Sequence, residues 1–213
     1  MGNTKKYLDL NRFLNIIETN NEYLKGHLVR VCSLAVKLAE IMSLSKKEIE
    51  IIKCGAILHD VGKIKIDNSI LNKTCSLNDI EYDIIKKHPI YGFQILKEYV
   101  NNKEILNIIK FHHERWDGNG YPFKLKGKKI PLKARIVSII DAFDAMTSFR
   151  PYRSTPLSIE EALEEIRNNA GIQFDKDIAI EFYNKADQIL KGHDEWLPLF
   201  INNLLNDLEK ISG

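Results

Sequence analysis

Apolar residues recur every three to four positions through most of this chain, and strand-like alternation is scarce. Nearly every ordered segment is therefore predicted to be helix. In the stretch 23–42, His27 shares one face with Val31, Leu34 and Leu38, at offsets of 4, 7 and 11. The row Ile49, Ile52 and Ala56 continues to His59, and Asp141 follows Ile136, Val137 and Ile140 in a mostly apolar run. The periodicity predicts helices over 7–18, 23–42, 46–58, 77–87, 90–99, 103–113, 131–147, 158–168, 176–188 and 194–210. Three Ser-x-x-acid signals mark helix starts: Ser45 to Glu48, Ser76 to Asp79 and Ser158 to Glu161. In each, hydroxyl and carboxylate can satisfy each other's backbone amides. The longest irregular stretch, 114–130, is rich in Gly, Pro and Lys and directly follows His112-His113. Loops of this length in compact domains are usually functional or disordered. The fold class is all-α, with an N-terminal helix within 1–22, a main domain over 23–188 and a helical extension over 189–213.

Composition narrows the function. A chain of 213 residues with 44% hydrophobic and 28% charged residues suits one sizeable soluble domain. Its net charge of +2 gives no general attraction to duplex nucleic acid or anionic membranes, so phosphate affinity must come from local placement. Cys32, Cys54 and Cys75 form no CxxC pair, and the first two sit in apolar helical patterns, which predicts buried reduced thiols. No stretch reaches the ~18 apolar residues of a membrane span and no apolar signal region follows Met1, so a cytoplasmic location is expected.

The chemistry concentrates in His59-Asp60-Val61-Gly62-Lys63 and in His112-His113-Glu114-Arg115-Trp116-Asp117-Gly118-Asn119-Gly120-Tyr121-Pro122. Imidazoles, a carboxylate and an amine at this density are the ligand set of a hydrolytic metal site. His27, His59, Asp60, His88, His112, His113 and Asp141 are the candidate ligands. A carboxylate on a buried face is costly unless a cation meets it. A lone histidine on an apolar face is more often a hydrogen-bonded core residue, and His27 or His88 alone would be read that way. Five of the six histidines fall in this set, however, and that concentration favours a shared ion. His193-Asp194 repeats the dipeptide without Gly-Lys or partner histidines and reads as a helix start.

The pattern His27, His59-Asp60 and Asp141 resembles the HD superfamily of metal-dependent phosphohydrolases. His88, His112-His113 and Gly120-Tyr121-Pro122 resemble its HD-GYP subfamily, the bacterial cyclic di-GMP phosphodiesterases. Arg150-Pro151-Tyr152-Arg153 and Gly171-Ile172-Gln173-Phe174-Asp175 extend the likeness, which runs from about Tyr23 to about Phe182. The resemblance implies an HD-type helical bundle with the lysine-rich loop over a site for two divalent metal ions. Asp60 would bridge them; His27, His59 and Asp141 would complete one shell, and His88, His112 and His113 the other. Iron or manganese suits these ligands best, while zinc, nickel, cobalt or magnesium is also compatible. Some members hold a third ion with a glutamate four residues before the first histidine. Tyr23 stands there in this chain and Glu22 is turned about 100° away, so two ions are expected.

The implied reaction is hydrolysis of a cyclic dinucleotide phosphodiester, cyclic di-GMP to the linear dinucleotide and onward to GMP. Two ions lower the pKa of a shared water and offset charge developing on phosphorus. Lys63 would contact phosphate oxygens or the leaving oxygen, although a surface lysine is the plain alternative. Asp144, three residues past Asp141, would orient the nucleophile or a ligand histidine. Arg150 and Arg153 suit bidentate phosphate binding, with ion pairs to Glu160 or Glu161 as the alternative. Tyr121 would brace the loop, stack on a base or form a docking surface for a diguanylate cyclase; a homodimer through the terminal helices is the other implied partner. Lys124, Lys126, Lys128 and Lys129 read as solvated loop lysines. Phe149 replaces the usual aspartate before Arg-Pro-Tyr, and Lys176 replaces a common proline. Other readings remain open: a cyclic GMP-AMP phosphodiesterase, a non-catalytic sensor or cyclase-docking module, and a nucleotide triphosphohydrolase.

Overall fold

The computed structural model describes residues 22–149 and 155–191, with side chains from Gly26 onward. The predicted helices 7–18 and 194–210, His193-Asp194, Arg150 and Arg153 lie outside the described residues, as do the side chains of Glu22 and Tyr23. The helices are α1 (Glu22–Ile41), α2 (Lys46–Leu58), α3 (Asn68–Leu71), α4 (Asp79–Ile85), α5 (His88–Leu96), α6 (Lys103–Phe111), α7 (Leu132–Thr147), α8 (Ile159–Asn168), α9 (Lys176–Asn184) and α10 (Ala186–Leu190). Two 3-10 turns, Val61–Lys65 and Gly127–Lys129, interrupt the connections. Among the described residues there is no strand, only an isolated bridge between Ala170 and Phe174. No helix among the described residues is long and apolar enough to cross a membrane.

Local chemistry sets the boundaries. At α2 and α8 the predicted capping boxes form, Ser45 with Glu48 and Ser158 with Glu161. The third signal, at Ser76, is not used. Asn78 caps α4 instead, its side chain accepting from the Glu81 amide at 2.9 Å while Glu81 accepts from the Asn78 amide at 2.8 Å. Helix α5 starts at His88, two residues earlier than the periodicity suggests, because Pro89 suits the first turn, where amides need no helical partner. The single helix expected over 176–188 breaks at Lys185, whose φ of −111° and ψ of 11° depart from helical values. Lys176 opens α9 behind the cap Asp175, so the departure from proline is accommodated. The domain limit expected at 188/189 falls inside α10, and Ile189 belongs to the main core.

Helix α1 packs on α2 and α7, α2 on α6, and the Val61–Lys65 turn on α5 and, through it, near α6. The seam buries Leu28, Val31, Leu38, Ile52, Ile108, Ile136 and Ile140, each 1% exposed or less. Burial of such a side chain stabilises the fold by about 1.5–3 kcal/mol. One contact positions the site directly. Gly55 lets α2 approach α6 so closely that a Cβ there would lie 2.3 Å from Ile108 Cδ1. Gly55 and Ile108 stand four residues before His59 and His112, so this crossing brings the two imidazoles together one turn later, 4.9 Å between ring centroids.

Candidate metal centre

The seven candidate ligands occupy six places in the fold. His27 lies on α1, His59 caps α2, Asp60 precedes the Val61–Lys65 turn, His88 opens α5, His112 and His113 follow α6, and Asp141 lies on α7. They converge into two sets, Asp60 with His88, His112 and His113, and His27 with His59 and Asp141, the ligand atoms within each set lying within 4.8 Å of one another. Asp60 faces both sets. Its Oδ1 is 3.2 Å from His88 Nε2, and its Oδ2 is 3.5 Å from His27 Nε2 and 3.6 Å from His59 Nε2. Asp141 Oδ1 lies 3.3 Å from His27 Nε2 and 3.7 Å from His59 Nε2.

Donor chemistry fits a cation. His27 Nε2, His59 Nε2 and Asp60 Oδ1 are buried without a hydrogen-bond partner. Orphaned buried polar atoms are costly, and all three point into the same centre. The opposite nitrogens are occupied. His59, His88 and His112 each direct Nδ1 at the carbonyl three residues back, on Ala56, Ile85 and Ile109, at 2.6, 2.8 and 2.9 Å. Donation through Nδ1 leaves each Nε2 as a lone-pair donor turned inward.

His27 is held differently. Its Nδ1 lies 2.7 Å from Asp144 Oδ2, and Asp144 also receives the Arg30 guanidinium, which reaches Ser148 Oγ at 2.9 Å. The predicted site residue Asp144 therefore touches a candidate ligand rather than the centre itself. Burial disfavours the charged form of His27, but the facing carboxylates of Asp141, Asp144 and Asp60 outweigh it and raise its pKa to about 10. Asp60 and Asp141 stay ionised well below the usual carboxylate range despite burial, held by Lys63 and the imidazoles and by His27 and His59 respectively. In the other set burial wins: His88 and His113 are each lowered to about 3, and His112 is pushed well below its ordinary value. One set thus holds an imidazolium among carboxylates, while the other presents three neutral imidazoles.

Lys63 bends back from the turn so that its ammonium bonds Asp60 Oδ2. Gly62 permits this turn against α5, since a Cβ there would lie 1.9 Å from the His88 carbonyl oxygen and 2.5 Å from the Gly92 nitrogen. Across the loop, Tyr121 lies on His113 with ring centroids 4.8 Å apart and planes 29° from parallel. Lys124, Lys126, Lys128 and Lys129 are exposed, and Phe149 is exposed at the end of α7.

Two functional side chains escaped the sequence reading. Arg30 was legible in principle: His27 and Arg30 on α1 repeat the spacing of Asp141 and Asp144 on α7, and the two pairs face each other. Glu114 is buried and accepts the Phe123 and Leu125 amides at 2.7 and 2.8 Å, folding the loop back on its own start. Its contacts lie within a loop without periodicity, so only its place next to His113 could have drawn notice.

The chain is 40% identical over 167 residues to a cyclic di-GMP phosphodiesterase of Thermotoga maritima, covering 76% of this chain and 45% of that protein. It is 36% identical over 189 residues to the 3'3'-cGAMP-specific phosphodiesterase 2 of Vibrio cholerae, covering 87% of this chain and 34% of the relative. The chain thus spans less than half the length of either relative. Among solved structures it is similar to Bd1817, an HDG"Y"P protein from Bdellovibrio bacteriovorus, with a TM-score of 0.65 at 22% identity over 84% of this chain and 58% of that one. The HD domain family profile matches residues 12–178, and with the His-Asp pair at its centre the chain belongs to the HD domain family.

Proposed function

We propose that this domain hydrolyses a cyclic dinucleotide phosphodiester, with cyclic di-GMP as the leading substrate, using two divalent metal ions. The observation that carries this reading is the pair of ligand sets sharing Asp60, with buried nitrogen and oxygen atoms that lack any other partner. His27, His59 and Asp141 would hold one ion and His88, His112 and His113 the other, with Asp60 common to both. Iron or manganese suits the mixed imidazole and carboxylate donors. When bound, the ions supply Lewis acidity towards a phosphoryl oxygen and acidify water.

The chain's own residues supply the remainder. Asp60 and Asp141, held ionised, set two negative charges against two divalent cations, so the centre stays positive towards a phosphodiester. Asp144 and Arg30 fix the His27 ring. Lys63, whose ammonium lies at Asp60, would contact a phosphate oxygen of the substrate or donate a proton to the leaving oxygen. Arg150 and Arg153, proposed for the uncleaved phosphate, lie outside the described residues.

Similarity to both a cyclic di-GMP and a 3'3'-cGAMP enzyme makes the substrate panel part of the test. Protein loaded anaerobically with ferrous iron or manganese is expected to linearise cyclic di-GMP, and Asp60→Ala to abolish turnover of every cyclic dinucleotide. Activity retained in Asp60→Ala refutes the proposed centre; turnover of 3'3'-cGAMP alone reassigns the substrate.

A further inference from the structure

Four of the five clustered imidazoles have a ring nitrogen tied down by a hydrogen bond. His59, His88 and His112 use backbone carbonyls, and His27 uses Asp144. His113 does not. Among the described residues no hydrogen bond reaches either of its ring nitrogens, and its nearest carboxylate oxygen, Asp141 Oδ2, is 4.0 Å from Nδ1. Its side chain is also the most open of the five, at 26% exposure against 2% or less for the others. An imidazole without an anchor rotates about χ2, and a ligand free to rotate binds a metal weakly.

The surrounding loop supplies what the backbone does not. The Tyr121 ring stacks on His113 at 4.8 Å, while His88 meets the His113 ring edge-on at 4.9 Å. The Tyr121 amide donates to the His113 carbonyl at 3.1 Å, so the stacking ring is tethered to the very residue it covers. Gly120 makes the return possible, because a Cβ there would lie 2.3 Å from the Arg115 nitrogen and 2.6 Å from Glu114 Cα. The outgoing arm is pinned by Glu114, which gathers the Phe123 and Leu125 amides across Lys124, itself at a φ of +56°. A buried carboxylate with two backbone donors is a rigid anchor, and a left-handed residue between those donors holds its unusual conformation only while the anchor holds.

We infer that Tyr121, clamped in place by Glu114, is a positioning residue that locks the plane of His113 by stacking, as the carbonyls of Ala56, Ile85 and Ile109 lock the other rings by hydrogen bonding. The metal-ligand role of His113 rests on the proposed function; the locking of its ring does not. Two readouts separate them. In metal-free protein, diethyl pyrocarbonate acylation of each histidine, mapped by mass spectrometry, reports ring accessibility. Tyr121→Leu and Glu114→Gln are expected to speed acylation of His113 at least several-fold while His59 and His112 stay at the wild-type rate, and Tyr121→Phe, which retains the stacking face, is expected to match wild type. In cobalt titrations followed by visible absorption, Tyr121→Leu and Glu114→Gln are expected to weaken one of two ions by about 10–100-fold and leave the other within about threefold, with Tyr121→Phe again unchanged. An unaltered His113 rate in Tyr121→Leu, or a rise shared by all five clustered histidines, overturns the inference. A wild-type chain that binds no cobalt yet shows the selective acylation overturns the metal reading and upholds the locked ring.

Discussion

Gly62→Ala tests whether the Val61–Lys65 turn and the start of α5 form one rigid unit that holds Asp60 against His88. The added Cβ would lie 1.9 Å from the His88 carbonyl oxygen, 2.5 Å from the Gly92 nitrogen and 2.8 Å from the His88 carbonyl carbon, all of them backbone atoms. Side-chain rearrangement cannot relieve such a collision. Opening the shortest contact to 3.0 Å, below which Cβ atoms essentially never approach, separates turn and helix by 1.1 Å (3.0 − 1.9). Overpacking costs about 1–3 kcal/mol, and an obstacle made of backbone places this variant near about 3 kcal/mol. With a urea slope of about 2 kcal/mol/M, the unfolding midpoint of metal-free protein falls by about 1.5 M. The same displacement exceeds the ~0.2 Å latitude of metal–ligand distances, so affinity at the His88, His112 and His113 set falls as well. Urea unfolding monitored by circular dichroism measures the first effect and metal titration the second. A variant with a midpoint within about 0.2 M of wild type and unchanged metal binding would refute the rigid-unit argument.

Asp144→Asn and Arg30→Met are expected to weaken one ion by about 10–100-fold and spare the other, the reverse selection from Tyr121→Leu; equal loss of both ions counts against a role confined to His27. Because the folded pKa of His27 is raised to about 10 from 6.5, its contribution to metal-free stability is complete below about pH 6.5 and is lost as pH rises through about 10. His88 and His113, lowered to about 3, act oppositely: the unfolded chain binds the extra protons, so stability is lost as pH falls from about 6.5 towards 3. Metal-free protein should therefore be most stable near pH 6.5, and a midpoint rising steadily to pH 9 contradicts the charged His27. At neutral pH, metal binding by wild type should release about one proton more than binding by His27→Gln, read by calorimetry in buffers of different protonation enthalpy. Of the three thiols, exposed Cys75 alone should react promptly with a thiol reagent in native protein, while buried Cys32 and Cys54 wait for unfolding.

Helix positions were legible where a side chain speaks for its own neighbourhood. Ser45 and Ser158 announce α2 and α8 because the capping acid stands three residues away. The same pattern misled at Ser76, where a competing Asn78–Glu81 pair lay two residues on. The seven converging side chains were legible because histidine is scarce and its concentration in two short runs demands a reason. What supports them was less so. Asp144 meets His27 across 117 positions and Arg30 across 114, and such pairings follow from how α1 settles on α7 rather than from any local rule. Tyr121 could be singled out as a loop-bracing side chain, but its partner ring could not be read from the chain, because the return depends on Gly120 having no Cβ and on Glu114 gathering distant amides.

Asp60 gives one oxygen to each ligand set and its second oxygen also to Lys63. In a two-ion centre, a cation at either set would draw on that carboxylate and compete with the ammonium for it. In the proposed centre, filling of the two sites would therefore release the lysine from its acid and leave its ammonium available to an arriving anion.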